Sequence, residues 1–171
     1  ERVARAGRIC LCFQNGPTFV PPFGGLDQLF STNPLSYAIP TGDEPTIVYD
    51  VATTTVAGNK LLLAQKRGDT SIPPGWATNA AGVPTTDPAE ASVRHLQWFG
   101  GHKGYGLALL VEILAGVLTG SSFGRTEHTG SPVHGAERVA KGFLFVAIDP
   151  ARFLPLPEFR ARVDTLIRDV H

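Results

Sequence analysis

The 171-residue chain contains no methionine and only two cysteines, Cys10 and Cys12. Two thiols are too few for a disulfide scaffold. Two positions apart, they point to one face of a strand and read as buried thiols. An excess of either charge is also missing: fifteen Lys and Arg balance fifteen Asp and Glu. That removes the basic surface on which phosphate-backbone binding depends, so no nucleic-acid partner is expected. No apolar run is long enough for a bilayer. The longest, Leu107 to Leu118, is broken by Glu112 and too short to span. No charged stretch leads into an apolar segment at the start, so no signal peptide is read. The expectation is a cytoplasmic chain with no membrane partner. Repeats and low-complexity tracts are absent as well.

What remains is 43% hydrophobic and 18% charged, a balance that excludes long disorder. The length suits one domain over residues 1–171, and Glu1 in place of an initiator Met reads as a piece of something longer. Glu1 to Gly7 has the pattern of a helix end closed by glycine. Strands are expected at Arg8–Phe13, at Leu35–Pro40 (an edge or terminating strand, given its proline), at Thr46–Val51 and at Gly142–Asp149. A helix capped by the hydroxyls of Thr53, Thr54 and Thr55 is expected to run to Gly68. Residues 71–88, punctuated by Pro73, Pro74, Pro84 and Pro88, read as a long ordered loop. The clearest helix is expected from Tyr105 to about Thr119, burying Leu107, Leu110, Val111, Leu114, Val117 and Leu118. Residues 121–138 read as a polar loop. A last amphipathic helix starts at Pro157 and carries Phe159, Val163, Leu166, Ile167 and Val170.

Two junctions stand out chemically. Gly100-Gly101-His102-Lys103-Gly104-Tyr105-Gly106 precedes the strong helix. A lysine at the positive end of a helix dipole is disfavoured unless an anion lies between it and the backbone amides, and phosphate is the natural anion. The competing reading is a flexible loop with a solvated lysine and a solvated His102. Glycine order and position do not match a Rossmann turn. The second junction, Asp50-Val51-Ala52-Thr53-Thr54-Thr55, places a carboxylate at a strand end, where it can accept ribose hydroxyls. Its competing reading is an ordinary helix cap. His128, His134 and Glu137 fit no zinc-ligand spacing and read as loop residues, so no metal site is expected. Trp76 and Trp98 read as packing residues.

Seven segments in order then carry a family likeness: Phe23-Gly24-Gly25, Thr32-Asn33-Pro34, Ile39-Pro40, Asp50-Val51-Ala52-Thr53, Ile72-Pro73-Pro74-Gly75-Trp76, Gly82-Val83-Pro84-Thr85-Thr86-Asp87-Pro88 and Gly101-His102-Lys103-Gly104-Tyr105-Gly106-Leu107. Together they resemble the malate/L-lactate dehydrogenase family that is unrelated to the Rossmann-type enzymes. The likeness runs from about Arg8 to Asp149. It implies an α/β fold of the α+β type, a largely antiparallel mixed sheet with flanking helices that forms a non-Rossmann NAD(P)-binding domain. It implies hydride exchange with NAD or NADP on a small 2-hydroxy or 2-oxo acid, usually in a homodimer. It also implies cofactor contacts at Asp50, Val51, Ala52, Thr53, Thr54, Lys103 and Gly104, with Asn15 as a further polar contact.

The departures from the family pattern concern catalysis. The family's Ser-His-Gly and His-Phe-Gly segments, which hold its catalytic histidines, are missing from this chain, as is its C-terminal glycine-glutamate stretch. Pro132-Val133-His134-Gly135 lies at the wrong end and lacks the serine. No catalytic residue is therefore assigned. The expectation is a cofactor-binding lobe, inactive alone, whose histidines come from elsewhere in a longer protein or from a companion chain. The rival expectation is a non-catalytic interaction module that has lost its cofactor.

Overall fold

A computed structural model describes residues 1–125 and 141–170. The chain divides into two compact units. One comprises residues 1–12, 35–51 and 145–171, the other residues 13–34 and 52–144.

The first unit holds most of a four-stranded sheet. Its strands are β1 (Ile9–Gln14), β2 (Leu35–Ile39), β3 (Ile47–Val51) and β6 (Phe143–Ile148), in the order β3-β2-β1-β6. β2 and β3 pair antiparallel with Tyr37 opposite Tyr49, and the two rings stack at 5.1 Å. β2 is an interior strand, so of the two readings its proline allowed, edge or terminating, it is the terminating one. Pro40 falls just past Ile39, the last paired residue, so no ladder hydrogen bond is forfeited. The short helix α1 (Arg2–Arg5) ends as its sequence indicates, with Gly7 at φ 81°. Its Ala4 is buried with Cys10 of β1 and Ala38 of β2. Helix α4 (Leu156–Val170) half-buries Phe159, Val163 and Ile167 but leaves Leu166 and Val170 exposed. Its buried residue is Asp164.

The second unit is built round Val20, Phe30, Leu61, Ile72, Leu96 and Trp98. Phe30 meets Trp98 and Tyr105 edge-on, at 5.8 and 5.5 Å between centroids. The Trp98 indole N–H donates to Pro21 O at 3.0 Å, so this tryptophan is a core residue, as its sequence context suggested. Helix α2 (Gly58–Arg67) starts later than the threonines that were expected to cap it, and no side chain caps it. It ends as expected at Gly68, which takes the left-handed conformation. The proline-rich stretch after it contains a small antiparallel hairpin, β4 (Ala77–Thr78) with β5 (Pro84–Thr85).

Helix α3 (His102–Val111) begins three residues earlier than expected and continues as a π-helix over Glu112–Val117, stopping at Gly120. The expected leucine face is not the buried face. Gly104, Ala108, Val111, Glu112, Ala115 and Gly116 are buried, while Leu107, Leu109, Leu110, Ile113, Val117 and Leu118 are exposed. The small residues win because backbone approaches them closely. A Cβ on Gly104 would overlap the carbonyl oxygen of Phe99, and one on Gly116 would lie 2.6 Å from Asn15 Nδ2.

Candidate cofactor site

Asp50 sits on strand β3 opposite Ser36, with its side chain exposed; Val51, opposite Leu35, is half-buried. Both belong to the first unit.

Ala52, Thr53 and Thr54 belong to the second unit. The hydroxyls expected to face a ligand or cap a helix are turned inward. Thr53 Oγ1 donates to Thr32 O at 2.8 Å and Asn33 O at 3.2 Å, and Thr54 Oγ1 donates to Val56 O at 2.9 Å. The amides of Thr53 and Thr55 donate to Thr32 O and Gln97 O. Thr53 is fully buried and Thr54 nearly so. This segment is therefore a rigid backbone support.

The glycine-rich junction lies against that support. Phe99 N–H donates to Thr53 O at 3.1 Å, and Gly104 N–H donates to Phe99 O at 3.0 Å. A Cβ on Gly104 would come 3.0 Å from Thr53 O as well. The two segments singled out from sequence, 52–54 and 103–104, thus meet through backbone at a position only glycine can fill. Gly100 and Gly101 both have positive φ, 59° and 64°, and fold the chain tightly into α3. The amides of Lys103 and Tyr105 are used within this turn, donating to Gly100 O and Gly101 O. The expected fan of unused amides is therefore replaced by a hydrogen-bonded turn. What faces outward is the Lys103 side chain, exposed and with no ion-pair partner among the described residues. Beside it His102 is exposed, with Phe23 edge-on to its ring at 6.2 Å. A lone cation on the first turn of α3 adds to the positive end of the dipole.

A cavity of about 490 Å³ opens beside Ala52. Phe19, Leu62 and Val93 give it apolar walls; Thr18, Thr32, Asn59 and Arg94 give it polar groups. Arg94 was not singled out from the sequence. Its only signal is an isolated cation in a turn, Val93–His95, of no recognisable motif.

Asn15 is buried and both polar atoms of its carboxamide are engaged by backbone: Nδ2 donates to Ser122 O at 2.7 Å and Oδ1 accepts from Gly142 N–H at 2.8 Å. Its role in this structure is to join these chain segments. No group of three or more metal-ligating side chains occurs among the described residues. His128, His134 and Glu137 lie outside them, as does most of the loop expected at 121–138. No described helix is long and apolar enough to cross a membrane.

Residues 1–171 match the family described as Malate/L-lactate dehydrogenase. The chain is 40% identical over 153 residues to a (2R)-3-sulfolactate dehydrogenase (NADP(+)) of Chromohalobacter salexigens, covering 90% of this chain and 45% of that protein. It is 36% identical over 172 residues to a ureidoglycolate dehydrogenase (NAD(+)) of Escherichia coli, covering 100% of this chain and 48% of that one. The solved sulfolactate dehydrogenase of Methanocaldococcus jannaschii superimposes with a TM-score of 0.85 at 36% identity, over 98% of this chain and 47% of its own. The chain spans about half the length of the curated relatives it matches.

Proposed function

Because the chain belongs to the malate/L-lactate dehydrogenase family, we propose that it is the dinucleotide-binding lobe of an oxidoreductase interconverting a 2-hydroxy acid and a 2-oxo acid. Curated relatives are named for NADP(+) and for NAD(+), so the cofactor is one of these two. The observation that carries the reading is the backbone contact between Thr53 and the Phe99–Gly104 turn. It supports a rigid backbone platform, within the second unit, for Thr53, Thr54, Lys103 and Gly104.

The residues fit the group. Lys103 offers an exposed ammonium, without an ion-pair partner among the described residues, at a helix N-terminus, which suits a pyrophosphate. Gly104 lets the first turn of α3 lie on the Thr53 backbone, and Thr53 and Thr54 hold that backbone in place. Ala52 borders the cavity. Asp50 offers a carboxylate to ribose hydroxyls, with Val51 fixing its strand. Asn15 acts by support, since its own polar atoms are engaged. When bound, the dinucleotide supplies or takes up hydride at its nicotinamide. This chain's residues bind and orient it. They provide no counterpart to the family's catalytic histidine segments, so the isolated chain is expected to bind without turnover.

The proposal extends to a homodimer, supported by α3. A helix apolar on every side belongs in an interior, and here its outer face, Leu109, Leu110, Ile113 and Val117, is exposed. Cytoplasmic location is part of the same reading, as is the requirement for catalytic histidines from outside this stretch of chain.

Titration of the chain with NADH and NADPH, followed by fluorescence and calorimetry, tests the reading. Saturable binding by one of them, weakened about tenfold (about 1.4 kcal/mol) in Lys103→Ala, supports it. Asp50→Ala is expected to weaken it likewise. A folded sample that binds neither dinucleotide favours the interaction module, for which the inward-turned threonine hydroxyls and the exposed α3 face speak.

A further inference from the structure

We propose that Cys10 and Cys12 on β1 form a two-thiol binding site for trivalent organoarsenicals, both sulfurs bonding to one arsenic centre. The two Sγ atoms lie 3.7 Å apart, and neither cysteine is in a disulfide. They are two positions apart in a strand and so share one face.

The distances separate the possible uses of such a pair. Residues i and i+2 of a strand have Cα atoms about 6.4–6.8 Å apart, at the upper limit of about 6.8 Å that a disulfide tolerates. Closing an S–S bond of about 2.05 Å would also draw these sulfurs together by more than 1.5 Å. A bridging atom asks for far less movement: two bonds of about 2.3 Å hold their sulfurs about 3.8 Å apart at a tetrahedral centre and about 3.5 Å apart at the pyramidal centre of trivalent arsenic.

Charge then separates the bridging atoms. Cys10 is buried beside Ala4 and Ala38, with Val3 packed on the same cluster. That burial, aided by the contact with Cys12, raises the Cys10 thiol above its ordinary pKa, so Cys10 resists becoming a free thiolate. A divalent metal needs both thiolates and further ligands, and no third metal-ligating side chain joins them among the described residues. An arsenical R–As=O needs only the two thiols. Two As–S bonds replace As=O, the two S–H protons leave with the oxygen as one water, and arsenic remains trivalent. The product is uncharged, as an alanine-lined site requires. Half-buried Cys12 is the entry point, being the more exposed of the two.

The test is incubation of the native chain with phenylarsine oxide, read by intact mass and by titration of free thiols. The expected result is one adduct per chain with both thiols lost, reversed by excess dithiothreitol. Formation should be faster at higher pH, because thiolate is the attacking form. Cys10→Ala and Cys12→Ala should each lower the affinity at least 100-fold. Alanine suits the cluster around Cys10, and should Cys10→Ala unfold, the half-buried Cys12→Ala carries the test. Both thiols remaining free in the folded chain, or an adduct of undiminished affinity in a folded single variant, would overturn the proposal. None of these readouts depends on dinucleotide binding.

Discussion

The carboxylate of Asp164, on α4, is clamped to the turn between β2 and β3 through Asp43: its Oδ2 accepts the Asp43 amide at 2.8 Å, while Oδ1 accepts that of Gly42 at 3.0 Å. Burial alone would raise the pKa of this group. The amides of Asp43, Gly42 and Glu44, joined by Arg168, outweigh it and hold the carboxyl below its ordinary value. A carboxylate depressed in the folded state adds stability above its unfolded pKa and loses it as pH falls through the folded one. The chain should therefore lose stability as pH falls through the ordinary carboxylate range and below it. Asp164→Asn should be less stable at neutral pH and should show a shallower acid slope. Thermal melts of both proteins across that range check this; parallel slopes would refute it.

Gly104 is irreplaceable on steric grounds. A methyl there meets the Phe99 carbonyl, the Phe99 amide and the Thr53 carbonyl, all of them backbone. Flexible side chains can yield, but this backbone cannot. Gly104→Ala is expected to cost about 3 kcal/mol, whereas Gly106→Ala, with nothing within 4 Å of the new methyl, should be neutral or stabilising by a few tenths. Denaturant melts compare the two.

Asn33, at φ 37° and fully buried, donates Nδ2 to Ala108 O at 2.9 Å and to Glu112 Oε2 at 2.7 Å. Gly124 N–H donates to the other Glu112 oxygen at 3.0 Å. Removing Asn33 strips a buried carboxylate of one of its donors, so Asn33→Ala should cost about 2–3 kcal/mol. The double variant with Glu112→Ala should cost less than the sum of the singles, with a coupling of about 1–2 kcal/mol. Additive losses in a double-mutant cycle would show the pair to be uncoupled.

Much of this was legible in the sequence, for physical reasons that differ by element. Strands β1, β2, β3 and β6 announce themselves by apolar, β-branched and aromatic runs, and β1, β2 and β6 are followed within two residues by glycine or proline; Gly7, Gly68 and Gly120 mark chain turns by their conformational freedom. The Thr53 segment and the Phe99–Gly104 turn, parts of two stretches picked out along the chain, touch through backbone. The buried face of α3 was not legible. Large apolar side chains and small ones compete for the interior, and period alone does not say that Gly104, Ala108 and Ala115 win over Leu107 and Leu110. Nor does a threonine reveal its partner: Thr53 reaches back to carbonyls at 32 and 33, not forward to a helix. Glu112 gave a signal as the one charge in the apolar run 107–118, and its burial with Asn33 is the reason it stands there.

The exposed side of α3 gives the last prediction. Leu109, Leu110, Ile113 and Val117 occupy the side opposite the buried small residues, and each is more than 40% exposed. Between Lys103 and Glu112 the helix carries no charge, and Glu112 itself points inward, so water meets an apolar face with no polar stripe. Burying such side chains is worth about 25 cal/mol per Å² of apolar area, enough to drive association when several act together. Sedimentation of the purified chain should show a species larger than the 18.2 kDa monomer. Leu109→Lys with Ile113→Lys should return it to a monomer with an unchanged circular-dichroism spectrum, because neither side chain contributes to the buried face. A wild-type chain that sediments as a monomer at high micromolar concentration would remove the homodimer from the reading while leaving the dinucleotide assignment to its own titration.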